Sequence, residues 1–249
     1  MSDQQNLLDH LEEIKAVLNE EMVYCDMPYL VYINECEGLH TRAQLDLPML
    51  EAFNFDATKL DRLLDLTGAL RTAQSNWESM KTDKQKAIDA WEKEAPAMYE
   101  LHDDLIAQMS FAFRADASLL KKLAAIKVGD SRADTIQDMA SLSVLGKENK
   151  ELLTAINFDL SQLDIAAEMA DKVGGLLGDI NGRMYFEDDI KLIRDKAFTL
   201  TKQVVDEIRS YGKFVFRKNE AKRQAYSSKY HRERVAAYRK AKAAEAKTN

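Results

Sequence analysis

The residues best suited to chemistry in this 249-residue chain are Glu37 and His40, which have the Glu-x-x-His spacing of metal ligands on one helix face. A helical bundle that binds two iron or manganese ions needs two such pairs and further inward glutamates. The sequence has one pair, and a mononuclear site would have to draw on Glu20, Glu21 or His102. We therefore predict no metal and no other cofactor, and a metal-dependent helical-bundle enzyme is the third alternative for the function.

Four glycines in the segment "VGGLLGDINGR" superficially resemble a phosphate-binding loop. Such a loop follows a strand and opens a helix. These glycines instead lie within or at the end of a helical pattern: Gly174, Gly175, Gly178 and Gly182. Because small residues four apart allow a neighbouring helix to approach closely, we predict a packing role for them.

The remaining polar residues show no recognisable nucleophile. The histidines outside the Glu-x-x-His pair have charged neighbours and no serine or cysteine arranged beside them as in a catalytic triad. Cys25 and Cys36 would lie about 16 Å apart on a common helix, too far for a disulfide, so we expect two inert thiols. No catalytic residue is predicted, and we expect the protein not to be an enzyme.

The composition indicates an all-α protein. A hydrophobic content of 46% in 249 residues is enough for a sizeable core. Only 9 Gly and 3 Pro interrupt a chain dominated by Leu, Ala, Lys, Glu and Asp, which is typical of long helices.

The sequence also predicts where the protein is located. The first residues, "MSDQQNLLDHLEEIKAVL", lack the basic and then apolar segments of a signal peptide. The most apolar stretch, "MPYLVYI", is much shorter than the roughly 20 residues needed to cross a bilayer. We expect a soluble, cytoplasmic protein with no membrane partner.

An internal repeat organises the chain. "FAFR" at 111–114 recurs as "FVFR" at 214–217, a displacement of 103 residues. The same displacement aligns residues 50–61 with 153–164, where seven of twelve positions are identical. We predict a tandem duplication of a three-helix unit, which forms an elongated bundle or array: residues 1–115, residues 116–216 and a basic C-terminal helix at 217–249.

Local signals place the helices of each unit. Ser131 and Asp134 have the spacing of a capping box, and Asp56 and Asp159 are placed to cap the second helices. We predict breaks before the third helices at Thr82 and at Asn181-Gly182. In the first unit, Pro96 should kink or restart the third helix.

The two aromatic motifs close the third helices. Residues two apart point to different sides of a helix, so one ring of each pair can close the bundle while the other contacts an adjoining unit. The aromatic interaction residues predicted on this basis are Phe111, Phe113, Phe214 and Phe216. The arginines that follow, Arg114 and Arg217, should cap the helix ends.

The C-terminal segment is strongly basic. Residues 217–249 contain eleven Lys/Arg and three Glu, a net charge of +8, within a chain whose net charge is −7. Three alternatives stay open: docking on an acidic protein surface of its own or another subunit, binding of nucleic acid, or a solvated helix end. The predicted interaction residues are Arg217, Lys222, Arg223, Tyr226, Tyr230, Arg232, Arg234, Tyr238, Arg239 and Lys240.

These observations favour a non-enzymatic structural or adaptor protein that acts through helix contacts, with a protein partner or self-association into a larger assembly. The alternative is a nucleic-acid-binding accessory protein that uses residues 217–249.

Overall fold

The computed structural model describes residues 2–248, apart from the side chains of Tyr185 and of 245–248. The fold is all-α, as predicted: the described residues form eleven α-helices and one 3-10 helix, and no strand occurs among them. In chain order the α-helices are α1 (Asp3–Asp9), α2 (Leu11–Ala16), α3 (Tyr29–Leu45), α4 (Leu47–Glu51), α5 (Thr58–Ala112), α6 (Ala117–Ile126), α7 (Arg132–Glu148), α8 (Lys150–Thr154), α9 (Ser161–Val215), α10 (Glu220–Ala225) and α11 (Lys229–Thr248).

The chain divides into two compact units. Unit 1 comprises residues 1–79 and 187–249, and unit 2 comprises residues 80–186. Each of the 55-residue helices α5 and α9 therefore contributes one part to each unit. The repeat boundaries predicted from the sequence differ from these limits and stay a prediction.

Local capping is as the sequence predicted. The Ser131 hydroxyl accepts from the Asp134 amide, and the Asp134 carboxylate accepts from the Ser131 amide. Asp56 Oδ1 accepts from the Thr58 amide at 3.0 Å, and Asp159 Oδ1 accepts from the Ser161 amide at 3.0 Å. These bonds satisfy amides that the first helical turn leaves unpaired.

The predicted breaks in the long helices are wrong. Helix α5 continues through Thr82, and α9 continues through Asn181 and Gly182. Helix α5 also does not restart at Pro96, where the alternative of a kink stays a prediction. A glycine inside a helix costs about 1 kcal/mol and a proline about 3 kcal/mol, relative to alanine. In a 55-residue helix the flanking turns outweigh such a local cost, because each added residue contributes a hydrogen bond without a new nucleation step.

Each unit has its own apolar core. In unit 1, α3 contributes Ile33 and Leu39, and α5 contributes Leu63, Leu66 and Leu70, all almost fully buried. In unit 2 the corresponding inward residues are Met98, Leu105 and Met109 of α5, Leu142 of α7 and Leu163 of α9. Burying each large aliphatic side chain contributes about 1.5–3 kcal/mol, so these clusters are the main stabilising feature of both units.

The two halves of the chain keep one helical register. Helices α3, α4 and α5 begin at residues 29, 47 and 58, and α7, α8 and α9 begin at 132, 150 and 161, in each case 103 residues later. The turns before α5 and α9 also match, because Asn54 and Asn157 both have positive φ, at 60° and 58°. Asparagine is one of the few residues that adopts this conformation readily.

The glycines predicted to allow close helix packing in α9 do not have that role, and other glycines do. No neighbouring atom lies within 4 Å of where a Cβ would be at Gly175, Gly178 or Gly182, and Gly174 has only an ordinary contact. Close approach occurs instead at Gly146, where a Cβ would lie 2.4 Å from Leu163 Cδ2, and at Gly212. The cluster in α9 is therefore tolerated by the helix without a packing role at three of its four positions.

No helix in the part of the chain that the structure describes is both long enough and apolar enough to span a membrane.

Candidate interaction surface of the C-terminal segment

The basic C-terminal segment has two parts that differ in burial. Residues 217–231, here called the root, include α10 and the first turn of α11, and they pack against unit 1. Residues 232–244, here called the arm, continue α11 with every side chain exposed. The predicted interaction residues are divided between these two parts and so have different environments.

Tyr226 anchors the root. Its ring is fully buried and stacks on Phe216 with the ring centroids 5.7 Å apart. The ring lies directly on the backbone of Gly212, where a Cβ would be only 2.0 Å from Tyr226 Cδ1. The Tyr226 hydroxyl donates to Asp46 Oδ2 at 3.0 Å. Burial and the neighbouring Asp46 carboxylate both raise the pKa of Tyr226, so it stays a neutral donor.

The same carboxylate and a neighbouring arginine hold α10. Lys222 Nζ donates to Asp46 Oδ1 at 2.5 Å. The Arg42 guanidinium donates to the Ala225 carbonyl at the end of α10 and lies over the Tyr226 ring. A guanidinium at a helix carboxyl end satisfies carbonyls that have no intrahelical partner.

Glu35 fixes the start of α11. Its Oε1 accepts from the Tyr230 amide at 2.8 Å and from the Ser228 hydroxyl at 3.1 Å, and its Oε2 accepts from Arg209 at 2.8 Å. Burial of Glu35 raises its pKa, but these hydrogen bonds and the Arg209 charge outweigh that effect and hold the pKa below its usual range. The carboxylate therefore acts as an ionised cap for the basic helix.

Charge favours this docking over a larger area. Residues 1–79 contain fifteen Asp/Glu and five Lys/Arg, a net charge of −10, and they belong to the same unit as the root. His231, at the end of the root, lies 3.2 Å from an Asp26 carboxylate oxygen. Contact with the protein's own acidic side chains is thus made at Lys222, Tyr226, Ser228, Tyr230 and His231 of the root.

The arm has a different character. It carries five Lys/Arg and one Glu, a net charge of +4. At 3.6 residues per turn, the cations Arg232, Arg234, Arg239, Lys240 and Lys242 are distributed around the whole helix. Val235 and Tyr238 lie one turn apart, and Tyr238 is 66% exposed. The arm therefore offers positive charge in all directions and one small apolar strip.

The aromatic motifs each place one ring inside and one outside. Phe113 is buried in unit 2 and Phe216 in unit 1, whereas Phe111 and Phe214 are 58% and 52% exposed. The following arginines cap the helices as predicted: Arg114 donates to the Phe111 carbonyl at 2.7 Å, and Arg217 donates to the Phe214 carbonyl at 3.0 Å. Each guanidinium also lies over the exposed ring.

The root residue Arg223 pairs within α10, donating to Glu220 at 2.9 Å. Its environment is exposed, so it contributes little to docking.

The residues with metal-binding potential are separated. The Glu37 carboxylate pairs with Arg71, and His40 is partly buried, which lowers its pKa. His102 contacts Asp138 in unit 2, with 3.4 Å between Nε2 and Oδ2. Among the described residues, no three His, Cys, Asp or Glu side chains lie close enough to hold one ion. Cys25 and Cys36 are both free thiols.

Sequence reasoning missed the residues that receive the root, namely Glu35, Arg42, Asp46, Arg209 and Gly212. One signal was available for Glu35, because the position 103 residues later is also acidic, Asp138, and both are shielded from solvent. In comparisons with known proteins, no family model, no curated protein and no solved structure matched this chain.

Proposed function

We propose that this protein is a non-enzymatic structural or adaptor component that binds an acidic protein surface through its arm. The supporting observation is a contrast in burial along the C-terminal segment. Asp46 holds the Tyr226 hydroxyl before α11 and Glu35 holds the Tyr230 amide in its first turn, whereas residues 232–244 of α11 are wholly exposed. A helix held at one end and exposed beyond it is a preformed ligand, so little conformational entropy is lost on binding.

The chemistry of the arm defines the partner. Its net charge of +4, distributed around the helix, suits an acidic groove or two acidic surfaces rather than one flat apolar face. Val235 and Tyr238 add a small apolar contact. Residues 1–79 of a second copy, with a net charge of −10, have the required sign, so self-association is the first form of this function to test.

We also propose that the chain is a tandem duplication. The common displacement of 103 residues in α3/α7, α4/α8, α5/α9 and the starts of α6/α10 supports this, as do the matched Asn54 and Asn157 turns. In this interpretation the root repeats the beginning of the second unit, and α10 corresponds to α6. The basic segment is then a partial third copy of the repeated unit. The arm continues this copy and is the part that binds the partner.

The test compares the full chain with a chain that ends at His231, which keeps the buried Tyr226 and its contacts. We expect the full chain to associate at low salt and to dissociate at high salt, because exposed charges are screened beyond about 10 Å at 0.1 M salt. The chain ending at His231 should remain monomeric at both. Light scattering with increasing salt measures this.

A matched charge control uses three exposed lysines, two in α6 and one directly after it. Lys121→Gln, Lys122→Gln and Lys127→Gln together remove as much charge as Arg234→Gln, Arg239→Gln and Lys240→Gln. Only the arm triple variant should lose association. Equal loss in both triple variants, or a monomeric full chain at low salt and high concentration, would contradict self-association.

Nucleic acid is the second candidate partner. Tyr238 is available for base stacking, and the five cations of the arm match a polyanion. Binding of a single-stranded oligonucleotide, with a steep salt dependence that disappears in the chain ending at His231, would favour this function over a protein partner.

A further inference from the structure

A cleft in unit 1 lies where the root meets α9. Its volume is about 430 Å³, and α9 and the start of α11 form its walls. The cations that line it are Arg209 and Lys213 from α9, and His231 and Arg232 from α11. Ser210 and Ser228 add hydroxyl groups to the same lining. Arg232 is the one residue of this lining that also belongs to the arm.

The charge balance of the cleft is positive. Its one acidic lining residue, Asp206, accepts from Lys202 at 2.5 Å, which offsets that carboxylate. Among the described residues, neither Lys213 nor Arg232 forms an ion pair with a carboxylate. The full positive charges of Lys213 and Arg232 are therefore available to a ligand.

The donors that line the cleft are of the types that bind phosphate groups. A guanidinium presents five N–H groups in a planar fork, so Arg209 keeps donors beyond the one bonded to Glu35, and Arg232 has its terminal donors available. Lys213 supplies a point charge, and the Ser210 hydroxyl is a neutral donor. The Ser228 hydroxyl already donates to Glu35 and is not counted among the donors. This set is suited to several oxygens on one centre.

We propose that this cleft binds a small soluble phosphate monoester or pyrophosphate. Clefts of about 300–1,000 Å³ accommodate small molecules, so the volume suits a phosphate with an attached organic group. Because Arg232 is the first residue of the arm, such a ligand would hold the start of the arm against α9.

The test is calorimetric titration of the full chain with sodium pyrophosphate, inorganic phosphate, glycerol 3-phosphate and a short oligonucleotide, at constant ionic strength. Lys213→Gln with Arg232→Gln removes two cleft cations. Lys218→Gln with Arg234→Gln removes two cations outside the cleft lining and serves as the matched control. Thermal unfolding of both double variants verifies that they are folded.

We expect saturable binding of a phosphate monoester or pyrophosphate that is at least about tenfold weaker in the cleft variant than in the control, as expected for lost charge-assisted hydrogen bonds. Three results would overturn the proposal: no binding of any small phosphate, equal weakening in both double variants, or binding of the oligonucleotide alone. The arm's partner binding has a separate readout, so this proposal can fail while the adaptor function stands.

Discussion

Unit 1 and unit 2 differ in side-chain size at two pairs of core positions that are 103 residues apart in sequence. In unit 1 the small residue is Gly212 on the long helix, and the large one is Tyr226 after α10. The residues 103 positions earlier, in unit 2, are Met109 on the long helix and Leu123 on α6, both buried in one core. A matched helical register thus tolerates a redistribution of volume, as long as the total remains close to native packing density.

The two units also differ in the surroundings of one acidic side chain that is shielded from solvent in each. Glu35 has an arginine and a backbone amide as donors, and its pKa is lowered. Asp138, 103 residues later, has His102 as its partner at 3.4 Å, and burial raises its pKa. The surroundings of the acid that holds the root therefore favour its ionised form, whereas burial disfavours the ionised form of the acid in unit 2.

The largest expected effect is from removing the Tyr226 ring. Tyr226→Ala should destabilise unit 1 by about 3–5 kcal/mol, because it leaves a cavity on Gly212 and removes the donor to Asp46. Chemical denaturation measures the change. The control Tyr238→Ala, on the exposed arm, should change stability by less than about 0.5 kcal/mol. Similar values for the two variants would mean that the root is not part of the core.

A smaller effect is expected from Glu35→Gln. It should destabilise the root by about 2–3 kcal/mol, because Arg209 loses its carboxylate and the Tyr230 amide loses a charged acceptor. The control is Glu37→Gln on the same helix, whose more exposed pair with Arg71 should contribute less than about 1 kcal/mol.

The pH dependence of the same contact follows from the lowered pKa of Glu35. Its stabilisation is fully present above the unfolded pKa of about 4.3 and is lost as the pH falls through the lower folded pKa. The protection factor of the Tyr230 amide, which corrects the exchange rate for its intrinsic pH dependence, should therefore fall in acid. A protection factor that is unchanged in acid, or that Glu35→Gln fails to lower at neutral pH, would contradict the assigned contact.

The smallest expected effect has the opposite sign. Asp138→Asn should stabilise unit 2 at neutral pH by less than about 1 kcal/mol, because burial raises the free energy of the ionised carboxylate and the amide carries no charge. In the wild type, the destabilisation caused by the buried Asp138 carboxylate is absent below the unfolded pKa. It grows as the pH rises from the unfolded to the raised folded pKa and is complete above that. The exposed Asp104→Asn serves as control, and destabilisation by Asp138→Asn would show that the His102 pair dominates instead.

The helix ends and the all-α class could be predicted from the sequence because the bonds involved are local. Asp56, Asp159 and Ser131 cap residues two or three positions away, and Arg114 and Arg217 bond to carbonyls three positions away. The breaks at Thr82 and Gly182 were wrong because helix propagation outweighs a single unfavourable residue.

The receiving surface for the root could not be predicted in this way. Tyr226 and Asp46 are separated by 180 residues in sequence, and Tyr230 and Glu35 by 195. Such pairs depend on the packing of α3 against the end of α9 and the root, for which local spacing gives no signal. Charge counting indicated the sign of the interaction and not its residues.

The division of the C-terminal segment into a fixed root and an exposed arm is tested most directly by amide hydrogen exchange of the dilute full chain at neutral pH. Amides at 220–231 should exchange slowly, with protection that approaches the global stability of unit 1, while those of 233–244 exchange rapidly. Uniform rapid exchange from Arg217 onward, or equal strong protection of the arm, would contradict the account.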